Sequence, residues 1–389
     1  MSKRDTLLCT VGTSLFEANI SRLSETTPDA PENWASIKEA YDKKNWDKLA
    51  DELLKLKPSS RLCGAEINTI EEIRKKKLIS LENIVFFVSD TATGRDTGQF
   101  LKIYFEKCKD LKLRSVEYQV VERLQDERPA DFKTHGLRNL VREMGKYIVK
   151  CGGPEHIAID ATGGYKAQIA IAVIVGQSLD VPVFYKHEKF SEIIEFPPLP
   201  VSFDYDVLAR NSDLLIDFER GEAFSEDELG ELDERLRVLL SEVDVDGKTM
   251  YELSPIGQIY LEGFRIRNPK PVNLIDAGRK KEEPSFPEHH YPKGFKEFVR
   301  KVWSETSWII TAKSLSYEGQ RRIKGIGFYV EEREGERYLV GTYKEKDFGA
   351  RFRMWITGEP PQALAWAYDY LNREYNKFTV PYSAPSARG

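Results

Sequence analysis

Three short apolar runs in the first half of the chain each empty into a loop of glycines and hydroxyls. Thr6-Leu7-Leu8-Cys9-Thr10-Val11 runs into Gly12-Thr13-Ser14, and Ile84 to Val88 runs into Ser89-Asp90-Thr91-Ala92-Thr93-Gly94-Arg95. The third, His156-Ile157-Ala158-Ile159-Asp160, leads through Ala161-Thr162-Gly163-Gly164-Tyr165-Lys166 into a helical pattern that starts near Tyr165. A strand, a small-residue loop and a helix in that order aim backbone N–H groups and the positive helix end at one spot, which suits a phosphate. Further patterns follow: helix over 97–109, strand over 115–121, helix over 131–149, and strands over 183–185 and 193–196. Alternation at these lengths predicts a doubly wound, mostly parallel α/β sheet. Ligands of such sheets sit outside the carboxyl ends of the strands. The three loops are therefore expected to form one crevice for a ligand with several phosphates. Ordinary strand-to-helix turns, where glycine and serine satisfy local geometry, are the plain alternative. Residues 17–80 read as an amphipathic, surface-lying helical insertion without chemistry.

Charge divides the chain further. Its net of -5 is the sum of zero over residues 1–203, -9 over 204–284 and +4 over 285–389, which suggests three units with different partners. Pro197-Pro198-Leu199-Pro200 breaks both helix and strand and marks the first boundary. In the middle unit, Ser225 and Glu228 form a capping box heading a helix expected over 225–241. A hairpin over 243–253 turns at Asp246-Gly247, and another helix starts at Ser254-Pro255. Helix, hairpin and helix resemble a winged-helix module. Its acidity argues against a DNA backbone, which needs Lys and Arg, and favours dimerisation or docking on a protein, with a plain linker as the alternative. A Pro- and charge-rich stretch leads to the third unit. There a helix over 295–303, strands over 308–312, 326–331, 338–343 and 351–356, and a helix over 362–375 predict a small α+β domain. With no apolar run of eighteen residues, no membrane span is expected, and no signal or transit peptide is read. Cys9, Cys63, Cys108 and Cys151 lie far apart, so neither a metal site nor a disulfide is expected, and a reducing cytoplasm is the natural compartment.

Gly247-Lys248-Thr249 lacks the upstream glycine of a Walker loop, and no GxGxxG follows the first strand. ATP hydrolysis and NAD chemistry are therefore disfavoured. Val11-Gly12-Thr13-Ser14 together with Asp160-Ala161-Thr162-Gly163-Gly164-Tyr165-Lys166 resemble the CARF domain of CRISPR-associated proteins, over residues 1–203. The resemblance implies a Rossmann-like homodimer that binds a cyclic oligoadenylate, cyclic tetra-adenylate above all, across its two-fold axis and thereby switches on a fused effector. It implies that Gly12, Thr13, Ser14, Gly163, Gly164 and Lys166 hold phosphates and riboses. Thr91, Thr93, Gly94, Arg95, Thr162 and Tyr165 join them from the loop pattern. In members that also cut the ring, a hydroxyl at the position of Ser14 and a lysine at that of Lys166 promote attack by a ribose 2′-OH, so ring nuclease activity is a further expectation.

Two common effectors are missing. A HEPN ribonuclease needs Arg-x4-6-His near the end of the chain, and the match here, Arg128 to His135, lies inside the first unit. A PD-(D/E)xK nuclease needs an acid-x-Lys triplet at a strand end beside a metal-binding acid, and no Glu-x-Lys occurs. The third unit instead carries Tyr343-Lys344-Glu345-Lys346 and, past a glycine turn, Arg351-Phe352-Arg353. Strand alternation puts Lys344 and Lys346 on one face of a strand and Arg351 and Arg353 on one face of its neighbour. Lys-x-Lys followed by Arg on the next strand resembles the RelE family of ribosome-dependent mRNA interferases. The resemblance implies catalysis by Lys344, Lys346, Arg351, Arg353 and Tyr343 without metal or cofactor, with mRNA and the ribosome as partners. The helix over 362–375 departs from that family's pattern and leaves Arg373 and Tyr375 unassigned. In that chemistry the ribose 2′-OH attacks the adjacent phosphate, cations stabilise the developing charge, and a lysine serves as base. The acidic middle unit would then touch a ribosomal protein, such as the stalk. Two other readings stay open: a CARF-controlled winged-helix transcription regulator, and a ring nuclease with a structural C-terminal domain.

Overall fold

The structure, a computed structural model, describes residues 4–187, 192–199, 207, 211–219, 221–230, 232–267, 270–287, 290–315, 325–345, 348–358 and 362–375. The chain forms two compact units, Met1–Ser202 with Ser254–Ile266, and Phe203–Leu253 with Arg267–Gly389. These cut the chain differently from the three stretches set by charge, because residues 254–266 of the acidic stretch belong with the first unit.

The first unit is α/β. Strands β1 (Thr6–Thr10), β2 (Asn83–Ser89), β3 (Ser115–Val121), β4 (Ile157–Asp160), β5 (Val183–Tyr185) and β6 (Ile194–Phe196) form one sheet in the order β3-β2-β1-β4-β5-β6. All pairings are parallel except β5 with β6. Central strands covered on both faces are mostly apolar, and β1 is buried at every position, its end residues Thr6 and Thr10 included. Alternate residues feed two cores. Leu7, Cys9, Ile84, Phe86 and Val88 face one, while Leu8, Val85, Phe87, Ile157 and Ile159 face the other. The 17–80 insertion keeps an exposed outer face, and its inner face builds core. Its helices Trp34–Asp42, Trp46–Leu53 and Gly64–Lys76 form a layer whose Ile37, Trp46, Leu49, Leu53, Ile67, Ile70 and Ile73 are buried in the first core. Phe16 stacks on Trp46 at 5.1 Å between ring centroids. On the opposite face, the helix Pro255–Arg267 contributes Ile259 to the second core. Gly145 leaves room there for Glu262 of that helix, since a β-carbon at position 145 would lie 2.9 Å from the Glu262 carboxylate.

The second unit carries a hairpin, β7 (Leu240–Val245) and β8 (Lys248–Leu253), and an antiparallel four-stranded sheet. The hairpin turns at Asp246 and Gly247, with φ of 54° and 76°, the two positive values that a two-residue primed turn requires. The helix expected over 225–241 is broken into Glu226–Leu229 and Glu234–Arg237, and β7 begins at Leu240. Gly230, with φ of 62°, ends the first piece, and Asp233 caps the second by accepting from the Arg235 amide at 2.9 Å. The larger sheet has the order β10-β11-β12-β9, from β9 (Ile309–Ser314), β10 (Gly327–Arg333), β11 (Glu336–Glu345) and β12 (Phe348–Ile356). Its Phe328 and Phe352 pack with Phe295 and Phe298 of the helix Phe295–Glu305 and with Tyr375 of the helix Gln362–Tyr375. The opposite face bears the cations.

Candidate functional site

In the order β3-β2-β1-β4-β5-β6 the chain reverses its direction of travel across the sheet between β1 and β4. At such a switch point the loops leaving the two strands part to opposite faces and leave a crevice between them. The loops leaving β1 and β4 meet there, around a cavity of about 410 Å³, within the roughly 300–1,000 Å³ of small-ligand sites. Gly12, Thr13, Ser14, Thr162, Gly163, Gly164 and Tyr165 line it, with Val11, Glu17, Ala18, Arg22, Ala65 and Ser89.

Local bonding makes the two loops one wall. The Thr10 hydroxyl donates to the Gly163 carbonyl at 2.6 Å, and the Thr162 amide donates to Asp160 Oδ1 at 3.1 Å. A β-carbon on Gly12 would lie 2.9 Å from the Gly164 amide nitrogen, and Gly164 holds φ at 107°. These glycines are thus demanded first by the approach of the loops to each other. The Thr13 hydroxyl donates to Glu17 at 2.8 Å, at the start of a π-helical turn, Leu15–Ile20. The Thr162 hydroxyl accepts from the Lys186 amide at 3.0 Å. The Tyr165 amide donates to Gln168 at 3.3 Å, and burial raises the Tyr165 phenol above its ordinary pKa, with Asp126 adding to the rise.

Three buried acids lie beneath the wall. Burial pushes Asp160 up to about 7 against the lowering bond from Thr162, and nearby Glu66 raises it further. Burial raises Glu66 as well, opposed by the Gly12 amide that it accepts. Cys9, raised by burial and then by both carboxyls, remains a thiol. Glu17, Arg22, Ala65 and Glu66 come from the insertion, to which the sequence pattern assigns no chemistry. A signal for Glu66 exists: at 66, 70 and 73 it shares the apolar helix face of Ile70 and Ile73, where an unpaired acid is out of place.

Thr91, Thr93, Gly94, Arg95 and Lys166 do not line the cavity. The loop after β2 belongs to a strand beyond the switch point, so of that run only Ser89 reaches the crevice. Its residues are occupied with their own helix. Thr91 caps Ala92–Lys107 by accepting from the Gly94 amide at 2.9 Å, the Thr93 carbonyl accepts from Thr97 at 2.8 Å, and Arg95 pairs with Asp90. A β-carbon on Gly94 would collide with Ser89. Lys166 is exposed at the first position of the helix Lys166–Ser178, so the cavity wall holds Ser14 but not Lys166.

In the second unit, strand register settles which side chains share a face, since directly paired residues point the same way. Arg351 pairs with Thr342, Arg353 with Val340 and with Lys313, and Lys344 with Gly349. Lys313, Lys344, Arg351 and Arg353 therefore occupy one face. Tyr343 occupies the other and is corrected as a member of the group. Its ring lies 5.2 Å from that of Phe298, and its hydroxyl donates to the Lys293 carbonyl at 3.1 Å. Lys346 lies outside the described residues. The two arginines have partners: Arg351 donates to Tyr329 at 3.2 Å and pairs with Glu331 at 3.1 Å. Arg353 lies over the rings of Tyr338 and Trp355, at 4.2 and 4.7 Å, and 3.7 Å from Glu336. Arg373 pairs with Asp369 at 3.0 Å, and the Tyr375 hydroxyl donates to Glu305 at 3.1 Å.

Residues 61–199, just over a third of the chain, match the family described as CRISPR-associated protein (Cas_APE2256). Among solved structures, Can2 from Sulfobacillus thermosulfidooxidans in complex with cyclic tetra-adenylate aligns at 10% identity with a TM-score of 0.25. The alignment covers 67% of this chain and 63% of that one. No curated protein matches.

Proposed function

We propose that the first unit is a sensor for a cyclic oligoadenylate, and that ligand capture there controls a ribonuclease activity of the second unit in CRISPR-linked antiviral defence. The observation that carries the reading is the joining of two glycine- and hydroxyl-rich loops at the switch point of a doubly wound sheet. It falls in a stretch that overlaps the match to a CRISPR-associated family. The glycine-rich backbone, the Ser14 hydroxyl and the Tyr165 hydroxyl in the cavity wall suit phosphates and riboses, and Arg22 supplies a positive charge. A ring of adenylates is larger than one such cavity. A homodimer presenting two of them across a two-fold axis would match the symmetry of cyclic tetra-adenylate, the ligand named for Can2.

The cationic face of the second unit supports the effector half. Lys344 is exposed, Arg351 and Arg353 are half-buried, and the half-buried Trp355 lies beside them with Arg353 over its ring. Cations so arranged favour the charge that develops when a ribose 2′-OH attacks its neighbouring phosphate. In the RelE-like form of this reading, Lys344 and Lys346 share the base and acid roles, Arg351 and Arg353 clamp phosphate, and mRNA on the ribosome is the substrate. Cleavage of message by the full chain, on translating ribosomes and on naked RNA, with and without cyclic tetra-adenylate, tests it. Ligand-dependent cutting that Lys344→Ala with Arg353→Ala abolishes is the expected result. Cutting indifferent to the ligand refutes the control, and equal cutting of naked RNA refutes the ribosome.

A further inference from the structure

One side chain closes the floor of the cavity without lining it. Glu66 reaches the loops from the helix Gly64–Lys76, and its Oε1 accepts the Gly12 amide at 2.9 Å. A β-carbon on Gly163 would collide with that same oxygen. A single carboxyl oxygen thus sits between the β1 loop and the β4 loop. Glu66 is 1% exposed, and its Oε2 is buried with no hydrogen-bond partner among the described residues. The titratable groups facing it are Cys9 on β1 and Asp160 on β4, and neither brings a positive charge. Glu17 and Arg22 lie in the cavity wall on the other side of the loops, and farther along its helix Glu72 is taken up by Lys186.

A carboxylate buried beside a second acid, with no cation, is costly in itself. Under an anion site it costs more, because little water screens it from the bound charge. The neutral acid still accepts the Gly12 amide, more weakly than the carboxylate would, and carries no such repulsion. We propose that Glu66 is a positioning residue for the phosphate-bearing ligand: as the neutral acid it holds the Gly12 and Gly163 loops at the spacing the ligand needs, and its ionisation opposes binding. The half of this that concerns the ligand rests on the function proposed above; the loop lock does not. Reciprocity then requires that anion binding promote proton uptake at Glu66.

The experiment compares the full-length chain with Glu66→Gln and Glu66→Ala. Amide exchange over residues 9–16 and 160–166, corrected for intrinsic rates, is followed without ligand from pH 6 to 9. Removing the buried acceptor in Glu66→Ala speeds exchange in these two loops about tenfold or more, while β3 and the helix Leu137–Lys150 keep their protection. Glu66→Gln retains the lock, and its loop protection falls less with rising pH than that of the unsubstituted chain. Asp160 titrates in both proteins, so the difference between them reports Glu66 together with its coupling to Asp160. Loop rates in Glu66→Ala within twofold of the original overturn the lock, as does an identical pH fall in Glu66→Gln. Should Glu66→Ala fail to fold, the Glu66→Gln profile still decides. Calorimetry with cyclic tetra-adenylate is the second arm. The proposal expects Glu66→Gln to bind at least as tightly as the original at pH 8.5, and Glu66→Ala about tenfold more weakly or worse. Equal affinity in all three overturns positioning. No uptake by the original chain, with the loops loosened in Glu66→Ala, sinks the ligand reading and leaves the lock standing.

Discussion

Replacing Asp160 by asparagine removes a buried proton-binding group while keeping its shape and the acceptor for the Thr162 amide. Asp160 is fully buried and is raised from 3.8 to about 7, chiefly by burial. Below about pH 4 both the folded and the unfolded chain hold the proton, so the group costs nothing. As pH rises from there to about 7, the unfolded chain releases the proton that the folded chain retains, and stability falls at ~1.4 kcal/mol per pH unit. Above about 7 the penalty is complete, at ~4 kcal/mol as an upper figure, because the coupling to Glu66 divides it between two groups. Asp160→Asn should therefore leave stability within ~1 kcal/mol at pH 4.5 and raise it by a few kcal/mol at pH 8. Amide exchange of β1 and β4 peptides against urea, at both pH values, reads the stability of this unit alone. A gain of the same size at both, or a loss at pH 8, would refute a buried neutral acid at this position.

Three further outcomes follow from the geometry. Gly163→Ala drives a methyl into Glu66, so it should destabilise the first unit by ~1–3 kcal/mol, and combining it with Glu66→Ala should restore part of that loss, as a double-mutant unfolding cycle would reveal. Arg353→Ala removes a guanidinium held over two rings, which should lower the stability of the second unit by ~1 kcal/mol and weaken RNA binding in a filter assay; unchanged RNA affinity would remove this face from the substrate path. Gly247→Ala meets no neighbour within 4 Å, so its expected cost of ~1 kcal/mol comes from the positive φ alone, and a chemical melt indistinguishable from the original would contradict that turn.

Most elements can be read from the chain because each is governed by local pattern. The strand over 115–121 is bounded as expected, and Asp246-Gly247 dictates its hairpin through backbone conformation alone. Strand order is another matter. Three similar loops follow β1, β2 and β4, but only the two loops at the switch point join across the crevice, which β2 reaches through Ser89, and that depends on which strands are neighbours. Thr91, Thr93, Gly94 and Arg95 are therefore indistinguishable by composition from the loops that line the cavity. The insertion hides Glu66 for a similar reason, since its partner Gly12 lies 54 residues away. The helix expected over 225–241 breaks for a local reason, because Gly230 outweighs the acidic, leucine-rich pattern around it. Adjacency in sequence groups Tyr343 with Lys344, although period-two alternation sends neighbouring side chains to opposite faces.

On the proposed function, the crevice between the β1 and β4 loops captures a cyclic oligoadenylate. Isothermal titration of the full-length chain with cyclic tetra-adenylate, beside linear tetra-adenylate and the Gly164→Val variant, tests it most directly. The expected result is saturable uptake of the ring, much weaker uptake of the linear form, and loss of binding in the variant, whose residue 164 must hold φ at 107°. No uptake of the ring, or uptake unchanged by Gly164→Val, would contradict it.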